Sequence, residues 1–284
     1  MKQIFHLKVQ SDTHLLKWHP EGSLLAVASK GRTSIYERSG SLVDDIPFDN
    51  DVNIVALKWK NDSLAIIGAG VGHVTFWEMS TLTTMKFEIG FSDPSYFVWS
   101  PLTMHFAIGT NKGNAIICDK NAPTKNETLL GKHQSKVVCG TWLQTRDLIV
   151  LGSTDRSISV SSRDGTTIAH IKSAEEPVEI VQEDCSSGLI LLIRLVTRFM
   201  VALLQSSGEP IVLDYQPDLG LIAHQQWHIK LQSIFLYFDC GKVMKKWKPW
   251  VKADSKEEIM DSGFRSMKNI ATCPISQSIA FIGE

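Results

Sequence analysis

The chain has 284 residues, 29 basic and 30 acidic side chains, a net charge of −1 and 43% hydrophobic residues. A chain of this length can bury a large core, and all-β sequences of this size often form one domain. The even charge balance supplies no basic field of the kind that binds nucleic acid. The five cysteines (Cys118, Cys139, Cys185, Cys240 and Cys273) are scattered, form no CxxC pair and follow no signal peptide, which points to a reduced, intracellular protein.

Tryptophans set the frame. Trp18, Trp59, Trp99 and Trp142 are spaced by 41, 40 and 43 residues, and Trp227 lies 85 residues beyond Trp142, close to two more periods. The repeats around them can be read in chain order as LLKWHPEGSLLAVASKGRTSIYER (15–38), ALKWKNDSLAIIGAGVGHVTFWEM (56–79), YFVWSPLTMHFAIGTNKGNAIICD (96–119) and CGTWLQTRDLIVLGSTDRSISVSS (139–162). Each holds a short strand ending near the Trp, a polar turn, an apolar strand, a second turn and an alternating strand, which is a hairpin pattern. A period of about 40–45 residues with strands inside each unit predicts an all-β, WD40-type β-propeller. One four-stranded blade cannot bury both faces alone, so blades stack, and the large Trp rings are expected to pack between them.

The fourth repeat carries the fullest signature: Gly131-Lys132-His133 opens it and Gly152-Ser153-Thr154-Asp155-Arg156-Ser157 continues it. His133 reads as a structural hydrogen-bonding residue, and Asp155 as a buried carboxylate that accepts hydrogen bonds tying the blade together, because a buried charge needs such partners. The closing Trp-Asp pair is eroded to Trp77-Glu78, Tyr36-Glu37 and Cys118-Asp119, and Ser161-Ser162 keeps neither member. Blade five has no Trp, blade six contains Trp227, and the stretch before Gly283 reads as the second strand of a seventh. The expected organisation is a single propeller over 1–284, with blades at about 9–45, 51–88, 94–130, 135–172, 178–215 and 220–252 and a partial blade at 265–284. Seven full blades would need roughly another 25–35 residues. The chain therefore reads as part of a longer protein or a shortened product, with bare strand edges where the propeller is unclosed.

Catalytic, cofactor and metal motifs are not found. Gly68-Ala69-Gly70-Val71-Gly72 lies between two strands, where a phosphate loop would open a helix, so it reads as a hairpin turn. His14 and His19 flank Trp18 without a carboxylate or Cys to complete a metal set. The acidic loop with Asp44, Asp45, Asp49, Asn50 and Asp51 reads as a solvated connection, and no GxSxG, HExxH or Walker motif occurs. The apolar run 188–204 is interrupted by Arg194 and Arg198 and is rich in β-branched residues, so buried strands are expected there and no transmembrane segment. The most distinctive surface candidate is 242–252, with five lysines and two tryptophans in eleven residues. Lys245, Lys246, Trp247, Lys248 and Trp250 suit a partner or a membrane interface. The plainer reading is an outer strand of blade six.

The N-terminal Met1-Lys2-Gln3-Ile4-Phe5, the string Gly109-Thr110-Asn111-Lys112-Gly113-Asn114, and Leu130-Gly131-Lys132-His133 followed by Cys139-Gly140-Thr141-Trp142 resemble the start of the WD-repeat core subunits of intraflagellar transport complex A. The similarity runs from residue 1 to about 172, fades through blade five, and returns around Trp227, Gly241 and 265–283. It implies a non-catalytic scaffold that works with the other complex A subunits in retrograde ciliary transport, cilium assembly and entry of membrane cargo. The implied location is the cilium or flagellum, the basal body and the cytoplasm. Such proteins carry two N-terminal propellers and a helical solenoid, of which this chain holds neither the second propeller nor the solenoid, and its lysine–tryptophan segment departs from the family pattern. The alternative is a general cytosolic WD40 adaptor that binds peptides on the propeller's top face.

Overall fold

The structure, a computed structural model, describes residues 12–48, 51–122, 128–130, 133–143, 147–185, 188–196, 199–204, 210–213, 225–228, 233–238, 242–247, 267–272 and 279–283. Every regular element among these residues is a strand. Sheet one joins β1 (Leu15–Trp18), β2 (Leu24–Ser29), β3 (Arg32–Glu37) and β4 (Leu42–Pro47). Sheet two joins β5 (Ile54–Lys60), β6 (Ser63–Gly68), β7 (His73–Glu78) and β8 (Thr83–Glu88), and sheet three joins β9 (Pro94–Trp99), β10 (His105–Thr110), β11 (Ala115–Asp119) and β12 (Thr128–Leu129). Sheet four is β13 (Val137–Leu143), β14 (Leu148–Ser153), β15 (Ser157–Ser162) and β16 (Thr167–Lys172). Sheet five is β17 (Pro177–Cys185), β18 (Gly188–Leu195), β19 (Phe199–Leu204) and β20 (Pro210–Leu213). Among the described residues sheet six has β21 (Gln225–His228), β22 (Ser233–Phe238) and β23 (Lys242–Trp247), and sheet seven has β24 (Met267–Thr272) and β25 (Ile279–Gly283).

All seven sheets are antiparallel meanders in chain order, the arrangement that short polar turns between apolar strands dictate. Their register repeats. Trp18, Trp59, Trp99, Trp142 and Trp227 each pair with the second residue of the next strand: Leu25, Leu64, Phe106, Ile149 and Ile234. In sheets five and seven, Asp184 and Ala271 occupy that place. A second feature also recurs. Near the start of the first strand one residue is left unpaired as a β-bulge, namely Val55, Ser95, Val138, Val178 and Lys268 in sheets two, three, four, five and seven. Such a bulge sharpens the local twist at the same point of these five sheets.

The sheets fall into two compact units. One spans 52–215 and holds sheets two to five; the other gathers 1–51 with 216–284 and holds sheets one, six and seven. In the second unit β24 lies beside β1, first strand against first strand, although they stand at opposite ends of the sequence. In the first unit β5 lies beside β9, β9 beside β13, and β13 beside β17 in the same way. The strands behind them, β6 and β14, are buried at every residue, because both of their faces are covered. The hydrophobic run 188–204 forms β18 and β19, and among the described residues no helix is long and apolar enough to cross a membrane.

Aromatic contacts concentrate between sheets two and three. Phe97 stacks on Phe106 at 5.1 Å between ring centroids, while Phe76 of β7 sits 5.4 Å from Trp99 and 5.5 Å from Phe106. Offset and edge-on aromatic pairs add about 0.5–1.5 kcal/mol each beyond the area they bury. Between sheets three and four, Trp142 joins Ala107, Ala115, Ile117 and Val137 in one apolar cluster. Sheets four and five share another around Cys139, Ile158, Ile180, Leu191 and Ile193.

Close approach between sheets depends on glycine at two places. A Cβ on Gly109 of β10 would stand 2.4 Å from the Cβ of Val137 in sheet four, so only glycine lets β13 come this near. Gly113 turns with φ +81°, and a Cβ there would meet the His133 carbonyl oxygen at 2.2 Å. Gly109→Ala is therefore expected to lower stability by about 1–3 kcal/mol. Gly72→Ala, where the nearest atom would be a carbonyl oxygen at 3.7 Å, is expected to stay within about 0.5 kcal/mol of the parent. Urea unfolding of the two variants checks the contrast.

Candidate functional site

The polar centre of sheet four is assembled by three short segments. His133 lies just ahead of β13, Asp155 sits in the turn between β14 and β15, and Ser157 and Ser159 stand on β15, two residues apart and so on the same face of the strand. The His133 ring is fully buried, and its Nδ1 lies 2.8 Å from the Ser157 hydroxyl and its Nε2 2.9 Å from the Ser159 hydroxyl. Asp155 Oδ1 accepts from the Ser157 amide at 2.8 Å and from the Ser157 hydroxyl at 2.5 Å, and Oδ2 accepts from the Gln134 amide at 2.6 Å. The Ser157 proton is thus committed to Asp155, so His133 donates to Ser157 through Nδ1–H and accepts from Ser159 through Nε2. His170 of β16 meets the His133 ring edge-on at 6.2 Å.

Electrostatics follow from this wiring. Burial holds His133 below its ordinary value of 6.5, with Asp155 opposing and His170 reinforcing. Burial works to raise the Asp155 carboxyl, but the donors from Ser157 and Gln134 outweigh it and leave the group below the usual carboxylate range. Its hydrogen bonds therefore support the fold above the unfolded carboxylate pKa, and that support is lost as pH falls through the lower folded value. Serine, histidine and aspartate stand together here as in a nucleophile site, yet the His133 side chain has no exposure and Ser159 is 1% exposed, while Ser157 and Asp155 are half-buried and spend their hydrogen bonds on the turn. Burial likewise pushes the Cys139 thiol up to about 12, which removes it as a nucleophile.

The tryptophans read from the sequence hold comparable positions with different partners. Trp18 is buried beside Leu25, Val27 and Tyr36 of its own sheet, and Trp59 meets Trp77 edge-on at 6.0 Å. The Trp99 indole donates to the Lys58 carbonyl of sheet two at 3.0 Å, and the Trp142 indole donates to Asp147 at 2.9 Å. Trp227 is placed by its strand β21. Of the basic–aromatic stretch, Lys245, Lys246 and Trp247 lie on β23, opposite Leu236, Phe235 and Ile234 of β22, while Lys248 and Trp250 lie outside the described residues. The acidic loop contributes Asp51 to an ion pair with Lys30 at 3.4 Å, and Gly68 to Gly72 join β6 to β7 as a turn.

Sequence reasoning missed the polar ties between sheets. Lys120 reaches from sheet three to the Glu78 carboxylate and to the Ser63 hydroxyl of sheet two, Lys60 donates to the Ser100 carbonyl, and Arg163 of sheet four meets His105 of sheet three. The partners come from separate repeats, so no local motif announces them. Asp155→Ala removes three hydrogen-bond acceptor contacts and is expected to destabilise by about 1–3 kcal/mol. An unchanged melting curve would contradict the tie.

Comparison with known proteins places this geometry. The family model described as the WDR19 first beta-propeller matches residues 14–284, including the fifth sheet and the lysine–tryptophan stretch. WD repeat-containing protein 19 of Homo sapiens is 30% identical over 233 residues, covering 78% of this chain and 17% of that protein. WD repeat-containing protein dyf-2 of Caenorhabditis elegans is 27% identical over 239 residues, covering 80% of this chain and 17% of that protein. The chain thus spans about a sixth of the length of these relatives. Among solved structures, the β-propeller domain of Cps50 (Swd1) from Myceliophteria thermophila superposes with a TM-score of 0.68 over 97% of this chain and 95% of that one, at 12% identity, a likeness of fold alone. The fold is an all-β, WD40-type β-propeller, and the chain belongs to the WDR19 first beta-propeller family.

Proposed function

We propose that this chain is a non-catalytic scaffold of intraflagellar transport complex A, supporting retrograde ciliary transport and cilium assembly through protein–protein contacts. Membership in the WDR19 first-propeller family over residues 14–284 carries the reading. The other complex A subunits are its partners, and the cilium, basal body and cytoplasm its location. The buried His133 ring, held by serine hydroxyls within its own blade, and the buried Cys139 fit a protein that binds without chemistry. Sheets tied by buried aromatics and buried hydrogen bonds hold their turns in fixed register, which is what a platform for several partners requires.

Tagged chain purified from ciliated cells is expected to bring the other complex A subunits with it in mass spectrometry. A soluble, folded bait that recovers unrelated proteins instead would overturn the reading and favour a general WD40 adaptor. The basic–aromatic stretch around Lys245, Lys246, Trp247, Lys248 and Trp250 is the segment we assign to contact with membrane cargo, since lysines and tryptophans together suit an anionic bilayer surface. Replacing Lys245, Lys246 and Lys248 with Glu is expected to weaken flotation with phosphatidylserine-containing liposomes, and unchanged flotation would remove the membrane assignment.

A further inference from the structure

On the side where the first and second strands of each sheet are joined, a chain of polar contacts runs from sheet four through sheet three to sheet two. The Trp142 indole donates to Asp147 Oδ1 at 2.9 Å, and Arg163 Nη1 lies 3.4 Å from Asp147 Oδ2. Arg163 Nη2 lies 2.8 Å from His105 Nε2, and His105 Nδ1 lies 3.0 Å from the Thr103 hydroxyl. Thr103 donates to the Ser100 hydroxyl at 3.1 Å, and the Ser100 carbonyl accepts from Lys60 of sheet two. Arg163 belongs to the turn between β15 and β16, whereas His105 opens β10, so their contact is a tie between sheets.

Guanidinium has donors and no acceptor, which fixes the state of the ring. Arg163 Nη2 lies 2.8 Å from Nε2 and 3.4 Å from Nδ1, so the guanidinium faces both ring nitrogens; the nearer, Nε2, takes the donor, and the single ring proton sits on Nδ1, facing Thr103. We propose that His105 is a proton-operated joint between sheets three and four: neutral, it holds Arg163; protonated, it releases Arg163 and turns its new N–H to Asp119. The charged groups facing the ring are Arg163 from the β15–β16 turn, Asp147 from the residue before β14, and Asp119 from the end of β11, whose Oδ2 lies 3.7 Å from Nε2. On release, Arg163 keeps Asp147 as its partner, and the change is passed to the Trp142 indole through the other oxygen of that carboxylate. Burial and Arg163 together hold His105 below 6.5, with Asp119 and Asp147 opposing. The folded state therefore resists the proton, and the joint weakens as pH falls below 6.5 toward the lower folded value.

The test is a pH titration of the full chain by nitrogen-15 NMR, following the His105 ring and the Trp142 indole N–H, the latter assigned by the peak lost in Trp142→Phe. His105 is expected to titrate below 6.5, and the Trp142 indole shift to move with the same midpoint. Arg163→Met should raise the His105 midpoint and uncouple the indole from it. His105→Gln, which keeps an oxygen acceptor for Arg163 but does not titrate, should leave the indole flat through the same range. An indole that ignores the His105 titration in the parent chain, or a His105 midpoint unmoved by Arg163→Met, overturns the proposal. Both replaced side chains are partly exposed, at 23% and 40%, so the variants are expected to fold.

Discussion

The constraint behind this structure is that the second strands of sheets one, two and four are covered on both faces. β2, β6 and β14 are buried at every residue, so covering one face leaves the other facing water. An isolated four-stranded sheet of this kind cannot persist, and each must be covered by neighbours. In residues 52–215 that cover comes from the next sheet, with phenylalanine and tryptophan rings between sheets two and three, Trp142 among small and aliphatic side chains between sheets three and four, and aliphatic side chains with Cys139 between sheets four and five. The difference follows from the residues facing each gap. Phe76, Phe97 and Phe106 fill a wide one, whereas Gly109 and Gly152 let the following strands approach closely.

The repeat period reappears as the distance along the chain between contacting partners. Lys60 bonds the carbonyl 40 residues on, Trp99 the carbonyl 41 residues back, Ser95 the carbonyl 42 residues on, and Tyr96 the carbonyl 44 residues on. These ties between sheets thus join a side chain to backbone at the corresponding height in the next repeat. Backbone carbonyls are present whatever the side chain, so each such tie depends on the identity of one side chain, the donor. The Lys120 tie to Glu78 is different: it is charged and depends on both partners, with the lysine largely covered and the carboxylate still partly in water. Losing Glu78 is the costlier change, because it leaves the more enclosed charge without its counterion.

Much of this was legible in the sequence. The tryptophan spacing implied the repeats, and the tryptophans do occupy one register position in five sheets. The same position in sheets five and seven holds Asp184 and Ala271, which is why those repeats were harder to read. His133 and Asp155 stood out in the sequence because they belong to short turn strings, and in the structure their hydrogen bonds run to residues near those turns. The bulges were not legible, since Val55, Ser95, Val138, Val178 and Lys268 share no side-chain chemistry and are defined only by strand pairing. The Arg163 contact with His105 spans 58 residues, matching no period, and is made by a turn residue that reaches sideways.

The two histidines of sheets three and four show how a partner's chemistry decides a ring's response to acid. His133 lies between two hydroxyls, each able to accept as well as donate, and has the Asp155 carboxylate 3.7 Å away. A second proton there can be taken up by turning Ser159 from donor to acceptor, with a counter-charge at hand. What resists it is burial, which is a cost spread over the whole ring. His105 is more exposed, but its partner is a guanidinium that can only donate. A second proton there leaves two donors face to face and two positive charges in contact, and no rotation of either group restores the bond. The buried histidine is therefore a fixed structural tie and the more exposed one a joint: burial lowers both rings, and at His105 the neighbouring guanidinium adds to that resistance.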